Sequence, residues 1–528
     1  MLHTPQGGLQ VAAGLCLALA LGGAGCTAPE FAVPIAFVVP DGHDSFAGLD
    51  YLSLSAEYGD GRAYDFFLEA PASGSSWDIP NMPAGADVTL QFEGLVGDGL
   101  GGDGQVVAAS GGAGPLLFDP ETEASARVLF TRRGRTGSLP GGPTVFDPRL
   151  VELPDGRVLS FGGANGYFDT VDPTGTDEVW IFGVDGSESA WSFSEAEPMA
   201  GARSDHAALV IEGSGTDVDG KVVVVGTLPL VESRSGLVVV DTEESVFDEA
   251  RDTGMPEVFD PATGEWEALS DDDVMRDHAA RGHHAIAQID DAIYIVGGII
   301  FESDLGLRAS AELIRVALDG GEAEVLPQMI ETRWRHTVTP VDSDRLLVVG
   351  GAAVPTNQTT FPEVPDIEVY DVSDDTWYRL GDLEPARADH VAVALPDGRV
   401  LIAGGITDED TRALAETWFI DPSDGGSWVQ GPDLGTARAR PDARLLPDGR
   451  VIVCGGESAT LEPVLDCEIW SAGGADGLGA WAPAPDPASA WTARLGGRVA
   501  LLATGEVLVV GGQAAPDDLS DEILVYRP

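Results

Sequence analysis

Lysine is all but missing from this chain. Lys221 is its one lysine in 528 residues, and arginine supplies the rest of the basic complement. Against 29 basic residues stand 87 acidic ones, a formal net charge of −58. That balance excludes nucleic acid as a partner, because its phosphates are held by Lys and Arg. It also disfavours anionic membrane surfaces, and it suits cations, cationic partners or plain solubility in salt. No long amphipathic helical pattern occurs, which argues against a helical bundle. There is no P-loop, no Gly-x-Ser-x-Gly and no His-Glu-x-x-His, so the common motifs for nucleotide binding, serine hydrolysis and zinc proteolysis are absent. Cysteine is scarce as well, at four residues.

What the chain has in quantity is repetition. RADHVAVALPDGRVLIAGG ends at Gly404-Gly405, and RPDARLLPDGRVIVCGG ends at Gly455-Gly456. Related phrases close on Gly162-Gly163, Gly297-Gly298, Gly350-Gly351 and Gly511-Gly512, and a degenerate copy closes on Gly226-Thr227. That makes seven copies. From Gly298 the second glycines fall at 298, 351, 405, 456 and 512, steps of 53, 54, 51 and 56. The earlier steps are longer, and insertions such as DTEESVFDEARDTG at 241–254 explain them. Within a copy, a short apolar strand enters an Asp-Gly turn, a strong hairpin signal. An almost unbroken apolar strand follows and stops at the glycine pair, where the backbone is free to take positive φ and to approach a neighbour closely. A third strand (DEVWIF, DIEVYD, ETWFID, CEIWSA, DEILVY) comes next. A fourth opens on tryptophan in five copies, at Trp191, Trp266, Trp377, Trp428 and Trp481. Four short antiparallel strands at a period near 50 make one propeller blade.

These glycine pairs, aromatic third strands and fourth-strand tryptophans resemble the kelch repeat over roughly residues 136–528. The resemblance implies an all-β protein built on a seven-bladed kelch-type propeller, in the superfamily that includes galactose oxidase. The last copy reaches Pro528 after its third strand, so another segment must complete it. ARVLFTR, residues 126–132, is the strand expected to zip the ring shut and remove its open edges. The propeller is therefore expected over 126–528.

Ahead of it, residues 26–125 carry alternating segments such as DYLSLSAEY and ADVTLQFEG between Pro, Gly and Asp clusters. This is the pattern of a small β-sandwich, similar at fold level to Ig-like or transthyretin-like modules, and its expected role is a spacer. Residues 1–25 read as an export signal. LQVAAGLCLALAL is too short to span as a mature helix, and GAGC at 23–26 resembles a bacterial lipobox, with Cys26 as the lipidated residue. The expected location is the outer membrane or cell surface through that lipid anchor; a conventionally cleaved signal, giving a periplasmic or secreted protein, is the alternative. Cys454 and Cys467 end the second strand and begin the third of one blade, where an oxidising compartment allows them to pair.

Candidate chemistry gathers in a recurring Arg-x-x-His: Arg203 and His206, Arg281 and His284, Arg333 and His336, Arg387 and His390. These stand at the start of first strands, which line the channel of a propeller. They are candidate ligand contacts at the channel mouth, and a feature repeated blade by blade more naturally serves the scaffold than catalysis. The copper-oxidase branch of the superfamily needs two tyrosines, two histidines and a tyrosine–cysteine link, and no such set is present; mutarotase-like propellers need little beyond a polar pocket. Acidic loops at 271–274, 407–410 and 515–522 offer oxygen ligands for calcium but reproduce no calcium-loop spacing. No other cofactor or metal is expected. The sequence therefore points to a monomeric surface protein that binds a protein or polysaccharide ligand without catalysis, with a carbohydrate-active enzyme as the competing class.

Overall fold

The computed structural model describes residues 30–40, 45–47, 49–69, 76–96, 106–118, 126–133 and 135–528, the last range apart from 165–174, 184–191, 229, 234–235, 240–243, 303–305, 354–361, 408–411, 424–425, 461, 465, 475–476, 485–494 and 516–517. The export signal, Cys26 and Trp191 lie outside the described residues. The chain divides into two compact units, one ending at Arg133 and the other running from Gly134 to Pro528, with Pro40–His43 grouped with the second.

The first unit consists of β1 (Glu30–Val38), β2 (Tyr51–Glu57), β3 (Ala63–Glu69), β4 (Ser76–Pro83), β5 (Gly85–Val96), β6 (Val106–Phe118) and β7 (Ala126–Arg132). Period-two alternation sends every second residue inward. Ile35 and Phe37, Leu52 and Leu54, Leu90 and Phe92, and Val128 and Phe130 meet in one core. The strands form a single hydrogen-bonded series, β3-β2-β5-β6-β7-β1-β4, where a two-sheet sandwich was expected. The join is β1, which pairs antiparallel with β4 on one edge and parallel with β7 on the other.

That placement corrects the expectation for residues 126–132. They sit between β6 and β1, and Phe130 packs against Phe37 and Phe46. Their apolar alternation belongs to this core, so the segment is not available to the propeller. The strand that completes the last blade is β8, Arg135–Leu139, running antiparallel to Ile523–Arg527. The unit boundary thus falls at 133–134 rather than at 125–126.

The second unit is a propeller. Among the described residues it contains seven four-stranded antiparallel sheets. Their innermost strands begin at Arg149, Ala207, Ala285, Thr337, Val391, Asp442 and Arg498, and each meets the next until the strand at Arg498 returns to the one at Arg149. The second strands, such as Val222–Val225 and Val400–Ala403, are buried along their whole length, as expected of strands covered on both faces. The 241–254 insertion carries a ten-residue helix, Glu244–Thr253. Asp272 caps a second short helix by accepting from the Val274 amide at 2.7 Å.

Arginine joins the blades at their rims. In the Asp-Gly-Arg turns, Arg157 binds Asp155 and also donates to the Pro261 carbonyl of the next blade at 2.6 Å. Arg399 repeats this with Asp397 and Gly477, and Arg345, in an Asp-Ser-Asp-Arg turn, does the same with Asp342 and Pro422. Two of the fourth-strand tryptophans reach the blade before: the Trp266 indole donates to the Glu197 carbonyl and that of Trp377 to Pro327. A disulfide joins Cys454 to Cys467, which face each other across the second and third strands of the sixth blade.

Candidate functional site at the channel mouth

The four residues before each inner strand form a tight unit, and each position has a separate job. The first is the arginine of the Arg-x-x-His pattern. Arg203, Arg281, Arg333, Arg387 and Arg438 are all essentially inaccessible to solvent. In each, Nη1 donates to the first carbonyl of that blade's glycine pair: Gly226 at 3.2 Å, Gly297 at 2.9 Å, Gly350 at 2.7 Å, Gly404 at 3.0 Å and Gly455 at 3.2 Å. In four of them Nη2 binds a third-strand carboxylate, from Glu257, Glu312, Glu368 or Glu468. A guanidinium is well suited to this, because its planar fork satisfies several acceptors at once. Burial alone lowers the Arg387 pKa to about 10.

The fourth position is His206, His284, His336 or His390, with Pro148 and Pro441 in the first and sixth blades. These side chains press on the preceding blade's glycine pair. A Cβ built on Gly297, at φ +56°, would lie 2.8 Å from His336 Cε1 and 2.7 Å from the Arg333 carbonyl oxygen. The Gly298 amide then donates to that same carbonyl at 2.9 Å. The repeated glycine pair is therefore a joint: its first carbonyl anchors an arginine of its own blade, its first Cα receives the next blade's histidine, and its second amide binds the next blade's backbone. Burial, followed by the adjacent Arg387, lowers the His390 pKa to about 3. Burial and neighbouring charge likewise drive His206, His284 and His336 well below the ordinary histidine value.

The third position varies. It is Asp147, Asp205, His283, Arg335, Asp389, Arg440 and Gly496 in successive blades, and all seven have positive φ, between 50° and 70°. Five are linked in series by backbone hydrogen bonds: His283 N–H to Asp205 O, Arg335 to His283, Asp389 to Arg335 and Arg440 to Asp389, at 2.9–3.1 Å. Asp147 N–H binds Gly496 O at 2.9 Å in the same way. One backbone geometry thus presents three aspartates, two arginines, a histidine and a glycine around the mouth of the channel. Arg335 pairs with Asp389 and Arg440 with Asp389 across blades, both at 3.2 Å, and Arg440 also pairs with Glu457 of its own blade at 3.1 Å. The Arg335 guanidinium also lies 4.1 Å over the Trp334 ring.

The third-position residues other than Asp205 wall a cavity of about 170 Å³, together with Glu457 and with Arg149 and Arg498 at the heads of two inner strands. Of the eight Arg-x-x-His residues proposed from sequence, His284, His336 and His390 reach this cavity; the four arginines turn into their blades. The sequence reading missed Arg438, because the sixth blade has Pro441 where the pattern required histidine. It also missed the third position, whose signal was its variability beside two constant neighbours. Among the described residues no three His, Cys, Asp or Glu side chains are grouped so as to hold a metal ion, and no helix is long and apolar enough to cross a membrane.

The fold and this mouth define a seven-bladed β-propeller. In comparison with known proteins, the chain is similar to Kelch-like protein terF of Aspergillus terreus, at 25% identity over 316 residues. The match takes in 55% of this chain and 61% of that protein's length. No family model matches the chain.

Proposed function

We propose that this protein is a binding propeller that takes its ligand at the charged mouth of the channel. One observation carries the reading: seven equivalent backbone positions vary among Asp, His, Arg and Gly, six of them around one cavity, while the positions flanking them are given over to the scaffold. Variation confined to solvent-facing loop positions on a rigid frame is how recognition surfaces are built. The similarity to a kelch-like protein favours a partner-binding role, with a protein or polysaccharide as ligand. The hydrophobic leader, the GAGC at 23–26 and the Cys454–Cys467 disulfide support export, with anchoring through Cys26 at the outer membrane or cell surface. The ring supplies its own closure, which suits a monomer.

A carbohydrate-active enzyme is the second reading, favoured by the close approach of Arg335, Asp389, Arg440 and Glu457. Against it, a histidine that stays neutral down to a pKa of about 3 is poorly matched to general acid–base work near neutral pH. The test is a thermal-shift panel of surface polysaccharides and peptides on residues 27–528, repeated with Arg440→Ser. A saturable rise in midpoint that Arg440→Ser abolishes supports binding at the mouth. Turnover of the bound glycan selects the enzyme reading, and an unchanged rise in Arg440→Ser moves the site elsewhere.

A further inference from the structure

The charges around the cavity do not cancel. Arg498 pairs with Asp147, Arg335 with Asp389, and Arg440 with Asp389 and Glu457. Arg149 stands in the same wall and, among the described residues, makes no ion pair. Its Nε donates to the His206 carbonyl at 2.7 Å, which orients the guanidinium, and the residue lines the cavity. Burial, then the neighbouring Arg498 charge, pulls its pKa below the ordinary arginine value, against the attraction of Asp147, Asp205 and Asp442. A half-buried cation that is desolvated and repelled by a like charge is relieved by an incoming anion. In a chain of net charge −58, a cavity wall with four arginines against three carboxylates is a specific feature.

The other walls narrow the class of ligand. Asp389 and Glu457 bring carboxylates to the wall, and Arg335 and Arg440 bring guanidinium groups, the two kinds of group that sugar hydroxyls bind. About 170 Å³ is room for one small ring. Resting on the binding reading above, we propose that the mouth is a receptor for an acidic sugar, with the sugar carboxylate on Arg149 and its hydroxyls on the paired charges around the ring. The carboxylate is the shared chemistry of a free uronic acid and of the terminal residue of an acidic polysaccharide.

The experiment is calorimetric titration of the exported chain with D-glucuronate, its uncharged amide, glucose, a glucuronate-terminated oligosaccharide, and a short peptide with a free C-terminal carboxylate. Glucuronate is expected to bind at least about tenfold more tightly than its amide, which has the same shape without the charge. Arg149→Gln is expected to remove that difference, and Arg149→Lys to keep part of it. Binding of the oligosaccharide but not the monosaccharide, still lost in Arg149→Gln, supports the proposal with a polymer as the source. Equal affinity for glucuronate and its amide overturns the carboxylate assignment while leaving the mouth a binding site. The peptide binding through Arg149 while every sugar fails overturns the sugar class. No binding of either kind, while another ligand still gives a thermal rise that Arg440→Ser abolishes, overturns the inference and spares the broader reading. The amide comparison needs no variant, so it stands even if Arg149→Gln fails to fold.

Discussion

The buried histidines make acid stability a direct test of the blade joint. His284 is nearly inaccessible, neither ring nitrogen has a hydrogen-bond partner, and burial drives its pKa well below 6.5. In the unfolded chain it titrates normally. Between the folded and unfolded values the unfolded state holds one more proton than the native state, so stability rises with pH through that window. It is complete above about pH 6.5 and is lost as the pH falls, at about 1.4 kcal/mol per pH unit for each such histidine. The perturbation is His284→Pro, because this chain already carries proline at the same place. Pro148 and Pro441 rest on Gly511 and Gly404 as the histidines rest on the other glycines, and each follows a positive-φ residue just as His284 follows His283.

Urea denaturation of both proteins at pH 7.0 and 5.0 is the assay. Carboxylates with depressed pKa values, such as Asp147 and Asp389, keep their stabilisation above about pH 4, so they do not enter this interval. The wild type is expected to lose about 2 kcal/mol more than His284→Pro between the two pH values. Taking the difference removes the general relief of self-repulsion that protonation brings to so acidic a chain. Parallel losses in the two proteins would refute a histidine buried in its neutral form.

Three further outcomes test the scaffold. Arg333 and Glu368 are both fully buried, so Arg333→Leu leaves a bare carboxylate and is expected to cost about 3–5 kcal/mol in denaturant unfolding, part of which Glu368→Gln restores; a loss below about 1 kcal/mol would contradict the clasp. Gly297→Ala meets backbone 2.7 Å away at a positive φ and is expected to cost about 2 kcal/mol or more, by the same measurement. A chain starting at residue 134 keeps β8 and is expected to be a soluble monomer in size-exclusion chromatography. One starting at 141 leaves Ile523–Arg527 as an open edge and should aggregate.

The propeller was legible because its information is periodic. The glycine pairs recur in six copies, the aromatic third strands in at least five and the Asp-Gly turns in four, so one weak local signal is read repeatedly. Closure was legible as a requirement but not as a location. ARVLFTR and RTGSL are adjacent, and the first is the more strand-like; only the core around Phe37 and Phe130 decides that it belongs to the first unit. The recurring Arg and His were visible and their structural weight was anticipated, yet the bond from each arginine to a glycine carbonyl joins residues 16 to 23 apart and depends on the folded blade. The third position was hidden because sequence comparison between copies rewards sameness. Asp147, His283, Arg335 and Gly496 share nothing but a backbone dihedral, and φ is not written in side-chain identity.

The disparity between a strongly negative chain and a locally cationic mouth also sets how binding should respond to salt. A carboxylate approaching at low ionic strength feels the whole −58 before it feels Arg149, because at 0.01 M the Debye length is about 30 Å. At 0.15 M it is about 8 Å, which screens the distant acids while the contact with Arg149 inside the cavity is screened far less. The association rate for glucuronate is therefore expected to rise with salt over this range, and the dissociation rate to change little. An opposite charge pattern, with a basic surface guiding the anion in, gives a falling association rate. Stopped-flow tryptophan fluorescence across that range separates the two, and a falling rate would mean that the field at the mouth is not dominated by the acidic surface.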